Sequence, residues 1–171
     1  MSVKILGERM QKEPMTIYGY EKLQRELKEL KEVERPQIVK EIDIARGHGD
    51  LKENAEYHAA KERQLFIEAR INELSEILSR TQVVDPATIT HEKISFGSTF
   101  KVMDLDTEFV YEYTIVGAPE SNPDRGFISF YSPLARQLIG KVPGDEINAK
   151  LPNGEIDYEV LEVYYKEISF E

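Results

Sequence analysis

Apolar residues in the first half of the chain return every three or four positions. Leu23, Leu27 and Leu30 form one stripe, and Ile38, Ile42 and Ala45 resume it beyond Pro36. Tyr57, Ala60, Gln64, Ile67, Ile71, Leu74 and Leu78 form a second. Such spacing places each set on one face of a helix, and the second set is a heptad seam with one polar position, Gln64. Pro36 predicts a kink or a restart, because proline lacks an N–H and crowds the preceding turn. Between the stripes lies Gly47-His48-Gly49-Asp50. Gly49 suits a helix C-cap or a left-handed turn, and Asp50 suits the N-cap of the next helix. Two stripes joined by so short a turn should pack antiparallel. Arms of roughly 25 residues would reach roughly 40 Å at about 1.5 Å per residue. A hairpin of that kind buries little and reads as a probe or spacer.

Residues 82–96 read as a connector. Beyond them the period changes to two, with β-branched and aromatic residues. STFKVMDL, EFVYEYTIVG and GFISFYS are strand candidates,. SPLARQLIGK predicts a short helix with Ser132 as N-cap and Pro133 at its first position. DEINAKLPNGEIDYEVLEVYYKEI predicts two strands around Asn153-Gly154, a strong hairpin signal. Several antiparallel strands with one helix make a compact α+β domain.

Charge separates the halves further. The chain of 171 residues has a formal net charge of −10, with no cysteine and no tryptophan. Residues 1–84 are nearly balanced, and residues 85–171 carry almost all the excess of acid. This argues against a bulk coating of nucleic acid, although the first half could meet a nucleic acid locally. Without cysteine, disulfides contribute nothing, and a cytoplasmic home is expected. No apolar run is long enough to span a membrane.

The densest chemistry lies at the hairpin turn, RGHGDLKENAEYHAAKER, residues 46–63. Asp50 and Glu53 stand at capping-box spacing, and negative charge favours a helix N-terminus. The same carboxylates, exposed at the tip of a probe, could hold Mg²⁺ or orient a water in a partner's active site. Two acids cannot complete such a site, so the partner would supply the rest. Arg46, Lys52, Lys61 and Arg63 bring positive charge that suits phosphates, or else serve helix solubility and pairing. His48 and His58 lack the spacing of a helical zinc pair. No phosphate loop, nucleophile elbow or triad spacing is present.

Three long stretches add a resemblance. ARGHGDLKENAEYHAAKE, residues 45–62, resembles a signature of the bacterial transcript-cleavage factors, the Gre family. ISFYSPLARQLIGK, residues 128–141, resembles the second signature of that family, and EPMTIYGYEKLQRELKELK, residues 13–31, its opening. The resemblance implies an α+β chain: an N-terminal extension (1–12), an antiparallel two-helix coiled coil (13–84), a linker (85–96) and an FKBP-like antiparallel-sheet domain with one helix (97–171). It implies a monomeric transcription elongation factor whose coiled coil enters the secondary channel of bacterial RNA polymerase. There the tip residues Asp50 and Glu53 would assist the polymerase's Mg²⁺-dependent cleavage of backtracked RNA, with no cofactor in the free protein and no nuclease activity of its own. Arg46, Lys52, Lys61 and Arg63 would face the RNA 3′ end. Ser132, Pro133, Leu134, Ala135 and Arg136 would meet the polymerase, including a coiled coil of its largest subunit. Prolyl isomerase chemistry is less compatible, because FKBP-type isomerases usually carry a tryptophan at the pocket floor.

Overall fold

The computed structural model describes residues 12–49 and 52–171; all but the last residue of the sequence-expected extension (1–12), and the tip residue Asp50, lie outside them. Contacts divide the chain into one unit of residues 20–81 and a second that joins the chain up to Gly19 to residues 82–171. The class is α+β, a helical hairpin region followed by a curled sheet, as the sequence implies.

The hairpin region is built from α1 (Ile17–Glu29), a π-helical turn (Leu30–Glu34), α2 (Arg35–Arg46) and α3 (Ala55–Ser79). Both predicted stripes face inward. Leu23, Leu30, Ile38, Ile42 and Ala45 are buried from one arm, and Ala60, Ile67, Ile71 and Leu74 from the other. Pro36 does not break the first arm. The Arg35 N–H donates to the Leu30 oxygen, one residue beyond the α-helical partner. That wider turn relieves the crowding that proline imposes on the preceding turn. It also absorbs a mismatch in the stripe, since Leu30 and Ile38 are one residue further apart than a heptad. Ion pairs nest across the arms: Arg63 with Glu41 at 3.5 Å, Arg35 with Glu68 at 2.7 Å, and Arg70 with Glu26 at 2.7 Å. The nesting shows that the arms run antiparallel. The Arg35 and Arg70 pairs are two-pronged. All are partly exposed and screened by solvent, so they serve register more than stability.

In the second unit, β3 (Thr99–Asp104), β4 (Val110–Val116), β5 (Phe127–Ser129), β6 (Glu146–Leu151) and β7 (Gly154–Tyr164) form one sheet in the order β5-β4-β3-β7-β6. The predicted strands are all present, but β5 runs parallel to β4, pairing Thr114 with Phe127 and Val116 with Ser129. The loop from β4 carries the chain across before it pairs, which a hairpin could not do. The β6–β7 turn centres on Pro152-Asn153, with Leu151 opposite Gly154. This is one residue earlier than expected, because proline pre-sets φ for the first central position and Gly154 takes the positive φ of 133°. Helix α4 (Pro133–Leu138) lies against the sheet, burying Ala135 and Leu138 with Phe100, Val102, Ala149 and Val160.

Two segments differ from the sequence boundaries. Residues 85–96, expected as a linker, are built into this unit: Ile94 and Phe96 are buried in its core. The Ile94 N–H donates to Lys141 O at 2.9 Å, and Gly140 N–H donates to Ile94 O at 2.8 Å. Residues 13–19, expected with the coiled coil, also belong here. Strand β1 (Glu13–Met15) pairs with β2 (Thr81–Val83), and Met15 and Thr16 are buried. The cause is chiefly Glu120, buried after β4. Its carboxylate accepts from Thr16 N–H at 2.9 Å, Gly19 N–H at 3.2 Å and Gly117 N–H at 3.1 Å, and also from the Thr16 hydroxyl. Phe170 stacks on Tyr18 with centroids 4.6 Å apart and touches Phe127.

Candidate functional site at the hairpin tip

The turn is set by the end of one helix and the cap of the next. Helix α2 ends with Gly47 as C-cap, whose N–H reaches Ile44 O at 3.1 Å. Gly49 has φ of 111°, the left-handed geometry that glycine alone adopts freely,. The residue that begins α3 is Asn54. This corrects the sequence reading, in which Asp50 was the N-cap and Glu53 completed a capping box. The reason is that asparagine can act in both directions. Asn54 Oδ1 accepts from Tyr57 N–H at 3.1 Å, and Asn54 Nδ2 donates to Ala45 O at 2.6 Å. One side chain thus caps α3 and satisfies a terminal carbonyl of α2. An aspartate could do only the first. A cap of this kind is worth ~1 kcal/mol.

The correction bears on chemistry. Glu53 lies before the cap, in the turn, and is exposed. Among the described residues, no hydrogen bond or ion pair claims its carboxylate. Its neighbour Lys52 is exposed, as is Arg46 at the end of α2. The other two members of the predicted basic set lie on α3. Lys61 Nζ donates to Gln64 Oε1 at 3.3 Å, and Arg63 reaches Glu41 across the arms. His48 and His58 are both exposed, and no group of three potential metal ligands occurs among the described residues.

The second predicted set lies in the other unit. Ser132 Oγ caps α4, accepting from Ala135 N–H at 3.2 Å, as the sequence predicts. Pro133 and Arg136 are exposed, with the Arg136 guanidinium over the Tyr131 ring at 5.8 Å. Leu134 packs partly against the core, and Ala135 is fully buried. Ala135 therefore offers no surface, and Pro133 and Arg136 are the exposed members of the set. No helix among the described residues is long and apolar enough to cross a membrane.

A helical hairpin with a charged turn, followed by a curled sheet with a capped short helix, corresponds to a family in both of its parts. Residues 13–83 match the N-terminal domain described as transcription elongation factor, and residues 89–165 match the GreA/GreB C-terminal domain. The chain belongs to the GreA/GreB family of transcription elongation factors. It is 64% identical over 162 residues to the transcription elongation factor GreA of Helicobacter pylori (strain Shi470), covering 95% of this chain and 99% of that one. It is 65% identical over 161 residues to the GreA of a Nitratiruptor species, covering 94% and 98%. Among solved structures it is similar to GreA factor homolog 1 of Thermus thermophilus, with 27% identity, 90% and 99% coverage and a TM-score of 0.41.

Proposed function

We propose that this factor enters the secondary channel of bacterial RNA polymerase and stimulates the polymerase's own cleavage of the RNA 3′ end in backtracked complexes, giving a new 3′ end for elongation. The observation that carries the reading is an exposed carboxylate, Glu53, placed before the helix cap rather than within it. A carboxylate spent on capping is partly withdrawn from chemistry; Glu53 is not.

Asp50 and Glu53 would be the chain's ligands to Mg²⁺ in the polymerase complex, and hard carboxylate oxygens that keep several waters suit that cation. The metal's chemistry there would be to activate water and stabilise charge on the phosphate. The chain's own residues do the rest of its part. Glu53 orients an attacking water within hydrogen-bond reach. Arg46, Lys52, Lys61 and Arg63 would offset phosphate charge beside it. In the other unit, Pro133 and Arg136, supported by Ser132, Leu134 and Ala135, would contact the polymerase at its largest-subunit coiled coil. The factor would act as a monomer in the cytoplasm, wherever the polymerase works, and has no cleavage machinery by itself.

The test is to add the purified chain to halted elongation complexes and, separately, to the same RNA without polymerase. The expected result is accelerated 3′-end cleavage and resumed elongation in the first, and intact RNA in the second. Cleavage of the free RNA, or halted complexes that ignore the factor, would overturn the reading.

A further inference from the structure

The turn carries a tie that the proposed function leaves unused. His58 stands in the first turn of α3, and its Nε2 lies 3.1 Å from the backbone oxygen of Lys52. A carbonyl oxygen only accepts, so Nε2 carries the proton at this contact. The Tyr57 ring packs edge-on against the imidazole, with centroids 5.6 Å apart, which restricts its rotation. On the other side of Glu53, Asn54 is held by Ala45 O and Tyr57 N–H. Glu53 therefore sits between two anchored residues, Lys52 through its carbonyl and Asn54 through its side chain. A carboxylate on a loose turn samples many directions. One whose backbone is fixed on both sides is presented in few.

We propose that His58 is a positioning residue: it holds the Lys52 carbonyl and so sets the backbone that aims Glu53. It acts as a hydrogen-bond donor, neither as a metal ligand nor as an acid or base. The inference rests on the proposed role of Glu53 in stimulated cleavage. Misplacing a reacting group by about an ångström can cost roughly 100-fold, and outer residues that orient ligands typically matter by roughly 10- to 100-fold.

The experiment compares full-length His58→Ala, His58→Gln and Glu53→Gln with wild type on halted elongation complexes. It reads the maximal cleavage rate and the factor concentration giving half of it. Amide order parameters of Lys52 and Glu53 in the free protein are measured beside them. His58→Ala should lower the maximal rate roughly 10- to 100-fold and leave the half-saturating concentration nearly unchanged, because channel entry is intact. The same variant should lower the order parameter of the Glu53 amide. His58→Gln should recover most of both, since its amide nitrogen stands as many bonds from Cα as Nε2 does. A wild-type rate for His58→Ala, with Glu53→Gln inactive, would overturn the positioning role alone. Equal losses in His58→Ala and His58→Gln would overturn the hydrogen-bond account. If Glu53→Gln itself cleaved like wild type, the functional reading beneath would fall with it.

Discussion

Glu53→Gln should lower stimulated cleavage by roughly 10²- to 10⁴-fold, the usual range for removing a group that handles protons or water. It should leave folding stability within about 0.5 kcal/mol of wild type, as expected for an exposed substitution away from caps and cores. The separation follows from where α3 begins. If Glu53 completed a capping box with Asp50, both activity and stability would drop together. Because Asn54 is the cap, the energetic burden of starting the helix lies one residue later. Glutamine keeps the size of glutamate and loses its charge, so the substitution reads charge alone. Cleavage is measured on halted complexes and stability by urea unfolding. A loss of more than about 1 kcal/mol would place Glu53 back in the cap.

The second large effect concerns Glu120. Glu120→Ala should destabilise the protein by roughly 3 kcal/mol, since it leaves several buried donors without a charged acceptor. That is a large share of the stability of an ordinary domain, about 5–15 kcal/mol. The site is built for this carboxylate. A Cβ on Gly19 would lie 2.5 Å from Glu120 Cγ, and one on Gly117 would lie 2.8 Å from Glu120 Oε1. Glycine is required at both because no other residue leaves the room. Burial pushes the Glu120 carboxyl above its ordinary value, and the donors from Thr16, Gly117 and Gly19 pull it only part of the way back. A raised folded-state value favours the protonated form in the fold. Its stabilising contribution is therefore full below the ordinary carboxylate range and is lost as pH rises through the raised value. Glu120→Gln does not titrate. The stability of wild type relative to Glu120→Gln should thus decline as pH climbs across that window, read by urea unfolding at a series of pH values. A relative stability that rises instead would reverse the sign of the shift.

Much of the hairpin was legible from spacing. Leu23, Ile38, Ile42, Ile67, Ile71 and Leu74 fall inside because a period near three and a half admits only one inward face. The strands and α4 were legible for the same kind of reason, alternation in one case and Ser132-Pro133 in the other. The tip was half legible. The residue types that gather there stood out as a charged cluster, but Asp, Asn and their neighbours compete as caps with similar intrinsic preference. What decides between them is the Ala45 carbonyl across the turn, which only the packed hairpin supplies. Glu120 gave no warning, since a glutamate in a loop reads as solvated until the segment that covers it is known. Residues 85–96 show the same limit: Ile94 and Phe96 are too few for a period. The parallel pairing of β5 and the nesting of Arg63, Arg35 and Arg70 with Glu41, Glu68 and Glu26 likewise depend on distant chain segments.

The central claim is that the tip acids work in the polymerase rather than in the fold. Its most direct test is Asp50→Asn beside wild type on halted elongation complexes, at saturating factor, with cleavage rate and product size read on a gel and binding measured in parallel. Asparagine retains cap-forming ability and loses the charge. The account predicts undiminished binding with stimulated cleavage reduced to the level of polymerase alone. Cleavage by Asp50→Asn at the wild-type rate, with the same products, would contradict it.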